Sequence, residues 1–316
     1  WAGFDHVVIT GRASRPVYLW IDNQKAELRD ASRLWGKTAH EADDLIHAEL
    51  GDADIETAAI SNAAENGVTW ASLVVSRHRG AGRTGAGTVF ASKNLKAIAV
   101  RGTQGLSISD PAGFFKGANE LIAGLNKFTR ARDAWRNFGT LTGTGFYNRL
   151  GVNAYRNNQF GVLPEDRTNA LNMRWYINNL ATAALSCSPG CVSGCSGTWK
   201  IKGNETPAAK KFAGETGFKL EYGSVASWGV MCDIPDFPTV AHLWEACRRH
   251  GMDVIEMGAI SGLLMELWQR GIVTMEDTTE WFGEPVSLEW GTAEAAEKII
   301  ESIGAQKHKL GQMFRE

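Results

Sequence analysis

The sequence predicts an α+β protein: a β-rich N-terminal part followed by a mainly α-helical region. Three observations lead there. Up to about residue 105, short runs rich in Val, Ile, Tyr and Trp alternate with turn residues, the pattern of strands joined by tight connections. Beyond Ser109, apolar residues recur at helical spacing over long segments. The change falls at Asp110-Pro111, a capping carboxylate followed by a proline whose missing N–H costs nothing in a first helical turn. Two domains are therefore expected, 1–105 and 106–316.

Residues 5–28 read as a meander of HVVITG, PVYLWID, the polar turn Asn23-Gln24-Lys25, and AELRD. A helix is expected over 40–50, where Ala42, Leu45, Ile46 and Leu50 share a face and Gly51 ends it. Strands resume with ETAAIS, VTWASLVVS and LKAIAVRG. Further helices are expected over 171–185, 239–250, 254–270 and 293–303. Along 254–270, Val254, Met257, Ser261, Leu264 and Trp268 trace one face, which reads as core packing. The stretch 139–161, rich in Gly, Asn and aromatics, reads by itself as a long surface loop.

At 316 residues the chain is long enough to bury a sizeable core. A net charge of −2 and a pI near 6.4 give no global basic field, which excludes nucleic acid and anionic lipid as general partners. The apolar runs are too short for a membrane span. Five cysteines are too few for a secreted disulfide scaffold, and three of them cluster, which points to metal in a reducing compartment, the cytoplasm.

Chemistry concentrates in two places. In RHRGAGRTGAGTVFASKNLKAIAVRGT, residues 77–103, Arg77, Arg79 and Arg83 are interleaved with Gly80, Gly82, Gly85 and Gly87. Glycine lets successive backbone N–H groups turn into one concavity, and guanidinium forks beside it suit phosphate. Arg79, Gly80, Ala81, Gly82 and Arg83 are the candidates; the bland alternative is a turn with solvated arginines. No GK[ST] and no G-x-G-x-x-G follow, so the stretch is neither a P-loop nor a dinucleotide fingerprint. Further on, Cys187, Cys191 and Cys195 stand at equal short intervals with Pro and Gly between them. That spacing fits an iron–sulfur cluster needing a fourth thiolate from elsewhere, structural zinc, or unligated loop thiols, and leaves all three open.

RGAGRTGAGTVFASKNLKAIAVRGT closely resembles the signature of the aldehyde:ferredoxin oxidoreductase family, the tungsten or molybdenum bis-pterin enzymes. VVITGRASRPVYLWIDNQKAELRDASRLWGK and ETAAISNAAENGVTWASLVVS are similar to the segments before it, and weaker likeness runs through Tyr155-Arg156-Asn157-Asn158-Gln159 to the last residue. The match implies an internal piece of a longer chain. It implies a bis-pterin of the molybdopterin type carrying tungsten or molybdenum, with Mg as a further ion, its phosphate held by the Arg79–Arg83 stretch. It also implies a [4Fe–4S] cluster on Cys187, Cys191 and Cys195, although the family's first gap is one residue shorter and its fourth cysteine would lie beyond Glu316. In EYGSVASWGVMCDIPDFPTVAHLWEACRRHGMD, Asp253 corresponds to a carboxylate that hydrogen-bonds the pterin. The family usually has Asn or Asp where this chain has Arg248. Glu221 matches the first Glu of the family's EYE and would assist proton movement as the catalytic carboxylate; the second is replaced by Gly223. Cys232 and Cys247 match cysteines without a ligand role, and His78 is read as a surface residue rather than a ligand. The implied activity is oxidation of an aldehyde or carbonyl substrate to the acid, with ferredoxin or an iron–sulfur subunit taking electrons, in an oligomer. An aromatic-ring reductase of the benzoyl-CoA reductase type, and a non-catalytic iron–sulfur or zinc module, are the alternatives.

Overall fold

A computed structural model describes residues 1–77, 79–188 and 190–315. The chain divides into two compact units, one of 1–105 with 245–316 and one of 106–244.

The first unit is built on a six-stranded mixed sheet. Its strands are β1 (Val17–Asp22), β2 (Lys25–Asp30), β3 (Glu56–Ala59), β4 (Leu73–Val75), β5 (Arg79–Ala81) and β6 (Leu95–Arg101), in the order β2-β1-β6-β3-β4-β5. β6 lies between β1, which it meets in parallel, and β3, which it meets antiparallel. Its sequence LKAIAVR explains that central place, because small and apolar residues suit both covered faces. Tyr18, Ile46, Ala59, Val74, Ala97 and Ala99 pack into one core. The helix Ala39–Leu50 supplies Ile46. It starts in a capping box, Thr38 and Glu41 exchanging side-chain-to-backbone bonds, and stops at Gly51 in the left-handed region.

Several expectations are corrected. HVVITG forms no strand; the sheet runs from β2 at one edge to β5 at the other without it. Residues 245–316 do not stay with the helical region after 106 but return to the first unit, held by the bridge Ala71–Met252 and the bond from Ser72 N to Gly251 O at 2.7 Å. The expected helix over 171–185 is a short helix, Met173–Asn179, followed by a strand, β7 (Ala181–Leu185). Its half TAAL pairs with β8 (Ser196–Lys200), and cross-strand bonding overrides a weak helical preference. The stretch read as a loop over 139–161 contains the helix Gly143–Leu150.

The second unit carries the antiparallel sheet β7-β8-β9, with β9 at Thr216–Phe218, and helices including Pro111–Asn126 and Thr129–Phe138. Trp199, Trp228, Tyr176 and Phe237 are fully buried in it. Among the described residues no helix is long and apolar enough to cross a membrane.

Inside the first unit a charge is buried outright. Lys96 on β6 is 0% exposed, and its Nζ donates to Lys37 O at 2.7 Å and to Glu65, whose other oxygen accepts from Gly36 N at 2.7 Å. Burial pushes the Lys96 ammonium below and the Glu65 carboxyl above their usual ranges, each partly offset by the partner's charge. Breaking such a pair strands the other charge. Lys96→Met is expected to cost about 3–5 kcal/mol, and the double variant Lys96→Met/Glu65→Leu to recover much of it. Urea denaturation of both variants checks this.

Candidate functional site

The arginine–glycine stretch begins as the edge of the sheet. β5 pairs antiparallel with β4, Gly80 opposite Val74, so residues 79–81 are extended and the expected concavity of positive-φ glycines is absent there. The turned conformation flanks the pairing: Ser76 and Arg77 before it have φ of 43° and 64°. Thr84 and Gly85 have φ of 78° and 72°, and a Cβ on Gly85 would overlap Thr69 O. Gly82 has a different role. A Cβ there would overlap Asp253 Oδ2, so the bare backbone of Gly82 is what admits that carboxylate. Two motifs far apart in sequence thus meet at one place in the first unit.

Asp253 reaches this position as the N-cap of the helix Val254–Gln269. Its Oδ1 accepts from Ile255 N at 3.1 Å and Glu256 N at 2.9 Å, and the residue is 7% exposed. Capping through one oxygen leaves the other turned to Gly82. The arginines are engaged differently from one another. Arg83, more than half exposed, pairs with Glu256 in the first turn of the same helix. Arg77 pairs with Asp43 and Asp44 of the helix Ala39–Leu50, which removes it from the candidate set. Arg79 lies within the field of Arg248, on the last turn of the helix Phe237–His250. Burial is the main force lowering the Arg248 pKa; the charge of Glu245 opposes it and that of Arg79 adds to it. His78 lies outside the described residues.

The cysteines stand on the loop between β7 and β8. Cys187 and Cys191 are exposed, Cys195 is half-buried, and all three are free thiols; Pro189 lies outside the described residues. Among the described residues no group of three His, Cys, Asp or Glu side chains stands at metal-holding spacing, this loop included. The local chemistry nonetheless suits thiolate. Backbone N–H groups of Gly194 and Ser193 point at the Cys191 sulfur and hold its pKa below the ordinary thiol value. Cys232 and Cys247 are fully buried, as small hydrophobes.

Glu221 precedes a helical turn, Tyr222–Ser224, that widens into a π-helical stretch, Val225–Met231, a geometry often found beside functional sites. Thr140 Oγ1 donates to the Glu221 carboxylate and accepts from Tyr222 N at 2.8 Å. Lys219, bonded to Asn137 O at 2.8 Å, lies within the field of both Cys195 and Glu221. In front of Glu221 is a cavity of about 680 Å³ lined by Trp135, Phe146, Tyr147, Met173, Tyr222 and Gly223. The Tyr147 and Tyr222 rings stand 4.8 Å apart, and burial is the main cause that pushes the Tyr222 hydroxyl up to about 12. These aromatics come from separate parts of the chain, Trp135, Phe146 with Tyr147, and Tyr222, so only their gathering in three dimensions marks them.

The mixed sheet of the first unit and the helices with a small antiparallel sheet of the second define an α+β chain. Residues 1–102 match the family model of the aldehyde ferredoxin oxidoreductase N-terminal domain, and residues 117–316 match that of its domains 2 and 3. The chain belongs to the aldehyde ferredoxin oxidoreductase family. It is 31% identical over 318 residues to the tungsten-containing aldehyde ferredoxin oxidoreductase of Pyrococcus furiosus, covering 100% of this chain and 49% of that one. Against the Pyrococcus abyssi protein of the same name it is 33% identical over 279 residues, 87% of this chain and 43% of the relative. The chain therefore spans about half the length of the curated relatives it matches. Its fold is similar to the active-site complex BamBC of benzoyl coenzyme A reductase, with a TM-score of 0.77 at 22% identity over 99% of this chain and 46% of that one.

His40 tests the charge field around Arg248. Its Nε2 is 3.6 Å from Glu245, too long for a hydrogen bond. Burial, then the charges of Arg248, Arg249 and Arg77, push its pKa down to about 4 against the opposing pull of Asp43. The folded value lies below the unfolded one, so the unfolded chain binds the proton first and stability falls as pH drops from about 6.5 to about 4. The loss from this residue is about 3 kcal/mol across that window. His40→Gln is expected to flatten the pH dependence there, read from unfolding midpoints at closely spaced pH values.

Proposed function

We propose that the chain is the cofactor-binding half of a tungsten- or molybdenum-pterin, iron–sulfur oxidoreductase that oxidises aldehydes to carboxylic acids. The observation that carries this reading is the meeting of Gly82 with Asp253. Arg79 and Arg83 supply guanidinium donors for a phosphate, and Asp253 supplies an acceptor for the ring N–H groups of a pterin. When bound, the metal–pterin group supplies two-electron oxidation and a [4Fe–4S] cluster removes the electrons singly.

The chain's own residues bind, orient and move protons. Cys187, Cys191 and Cys195 would hold the cluster together with a fourth ligand. Within that loop the N–H groups of Ser193 and Gly194 favour the thiolate of Cys191. Glu221, held by Thr140, would accept or return a proton at its carboxylate oxygen over the aromatic cavity. Ferredoxin, or an iron–sulfur partner subunit, would receive the electrons. Mg is the further ion that paired phosphates would take.

One observation favours a second reading. Gly223 opens the cavity wall where the family motif has a carboxylate, and Trp135, Phe146, Tyr147 and Tyr222 put aromatic rings into a lining that also holds Thr142, Arg149 and Met173. A flat aromatic thioester, as in the benzoyl-CoA reductase type, fits that wall.

Elemental and pterin analysis of the purified full-length protein decides between these readings and a zinc module. Tungsten or molybdenum with about four irons is expected; zinc alone would reject the proposal. Arg83→Ala is expected to weaken pterin retention about tenfold, the usual cost of one charge-assisted bond. Cys191→Ser is expected to lower iron per chain, and turnover with benzaldehyde against benzoyl-CoA separates the two substrate readings.

A further inference from the structure

The helix Gly143–Leu150 supplies Gly143, Phe146, Tyr147 and Arg149 to the cavity in front of Glu221. Its first glycine shapes the wall. A Cβ on Gly143 would stand 2.8 Å from Tyr147 Cε2 and 3.3 Å from Tyr222 Cδ2, so the bare backbone there admits both rings. Phe146 meets Tyr147 edge-on, with ring centroids 5.5 Å apart. A Cβ on Gly145 would lie 3.6 Å from Arg149 Nη1. The Arg149 guanidinium thus reaches back along the helix, away from the carbonyls of the last turn that a cation at this end would otherwise serve. Among the described residues of the lining, Arg149 is the one cation and Glu221 the one carboxylate. Glu221 accepts from Thr140, whereas Arg149 is exposed and makes no ion pair among the described residues.

The cavity's 680 Å³ falls inside the range of about 300–1,000 Å³ that small-molecule sites span. Its aromatic faces take a flat apolar body. A single guanidinium fork matches the two coplanar oxygens of a carboxylate, and no second cation stands in the described lining to share the higher charge of a phosphate. We infer that Arg149 binds a carboxylate carried by the substrate at the end away from the reacting carbonyl, so that the substrate class is the aldehyde of a flat, aromatic acid. Glu221 then serves the carbonyl end of the cavity and Arg149 the carboxylate end. The inference rests on the proposed aldehyde-oxidising reading, but its test separates the two.

The full-length protein is compared with Arg149→Gln and Arg149→Lys by calorimetry, with 4-(hydroxymethyl)benzoate against benzyl alcohol as ligands that differ by the carboxylate alone. The wild type is expected to bind the benzoate about tenfold more tightly than the alcohol, and Arg149→Gln to lose that preference, with Arg149→Lys between. In turnover, Arg149→Gln is expected to raise KM for 4-carboxybenzaldehyde about tenfold while kcat, and both constants for benzaldehyde, stay within about twofold. Pterin per chain is expected to be equal in all three proteins. Equal binding of the two ligands by the wild type overturns the inference and leaves Arg149 a solvated surface residue. An unchanged preference in Arg149→Gln overturns it too, and so does loss of pterin from folded Arg149→Gln, which would make the arginine a cofactor ligand. Should Arg149→Gln fail to fold, Arg149→Lys decides: a preference equal to wild type overturns it. An Arg149-dependent preference in a wild type that holds no tungsten, molybdenum or pterin rejects the proposed function while leaving the carboxylate site in place.

Discussion

The close approach of the 251–253 turn to the start of strand β4 is the constraint on which the candidate cofactor site depends. Ser72 N donates to Gly251 O at 2.7 Å, and Met252 bridges Ala71. That small antiparallel contact fixes where the helix Val254–Gln269 starts and hence where its capping carboxylate lies. Because β5 is the next strand out, the same contact sets Asp253 beside Gly82. The site is therefore an outcome of backbone pairing, and side-chain chemistry is arranged on it afterwards.

Electrostatics in the first unit follows from the same placement. Lys96 and Glu65 form a closed buried pair, with Lys37 O and Gly36 N completing their bonds. The setting of His40 is different in kind: burial first, then the charges of Arg248, Arg249 and Arg77, depress the histidine to about 4.

Much of the fold is legible in the sequence. Strands such as VYLWID and the helix over 40–50 announce themselves through period and capping, and β1 and Ala39–Leu50 fall there. HVVITG carries the same β-branched signal and forms no strand, because a strand is made by its pairing partner as well as by its own pattern. TAAL misleads for the complementary reason: alanine favours helix locally, and β8 overrides it. At the site, Arg79, Gly82, Arg83 and Asp253 are visible as motif residues, yet the part each plays is not. Arg77 looks equivalent to Arg79 and is taken by Asp43 and Asp44, which lie a long way off in the chain. The aromatic wall before Glu221 carries no period at all.

The two departures from the family motif are best understood together. Gly223 removes a carboxylate from the wall of the aromatic cavity, and Arg248 puts a cation where the motif usually has an amide or a carboxylate. Both changes remove negative charge or add positive charge, yet each lies in a different unit and is supported locally: Gly223 by Tyr222 and Thr140, Arg248 by Glu245. A random loss of function would more readily leave a stranded partner, such as an unpaired buried carboxylate, because burial makes that costly. Here the neighbouring carboxylates keep partners. Glu221 is held by Thr140, and Glu245 by Arg249.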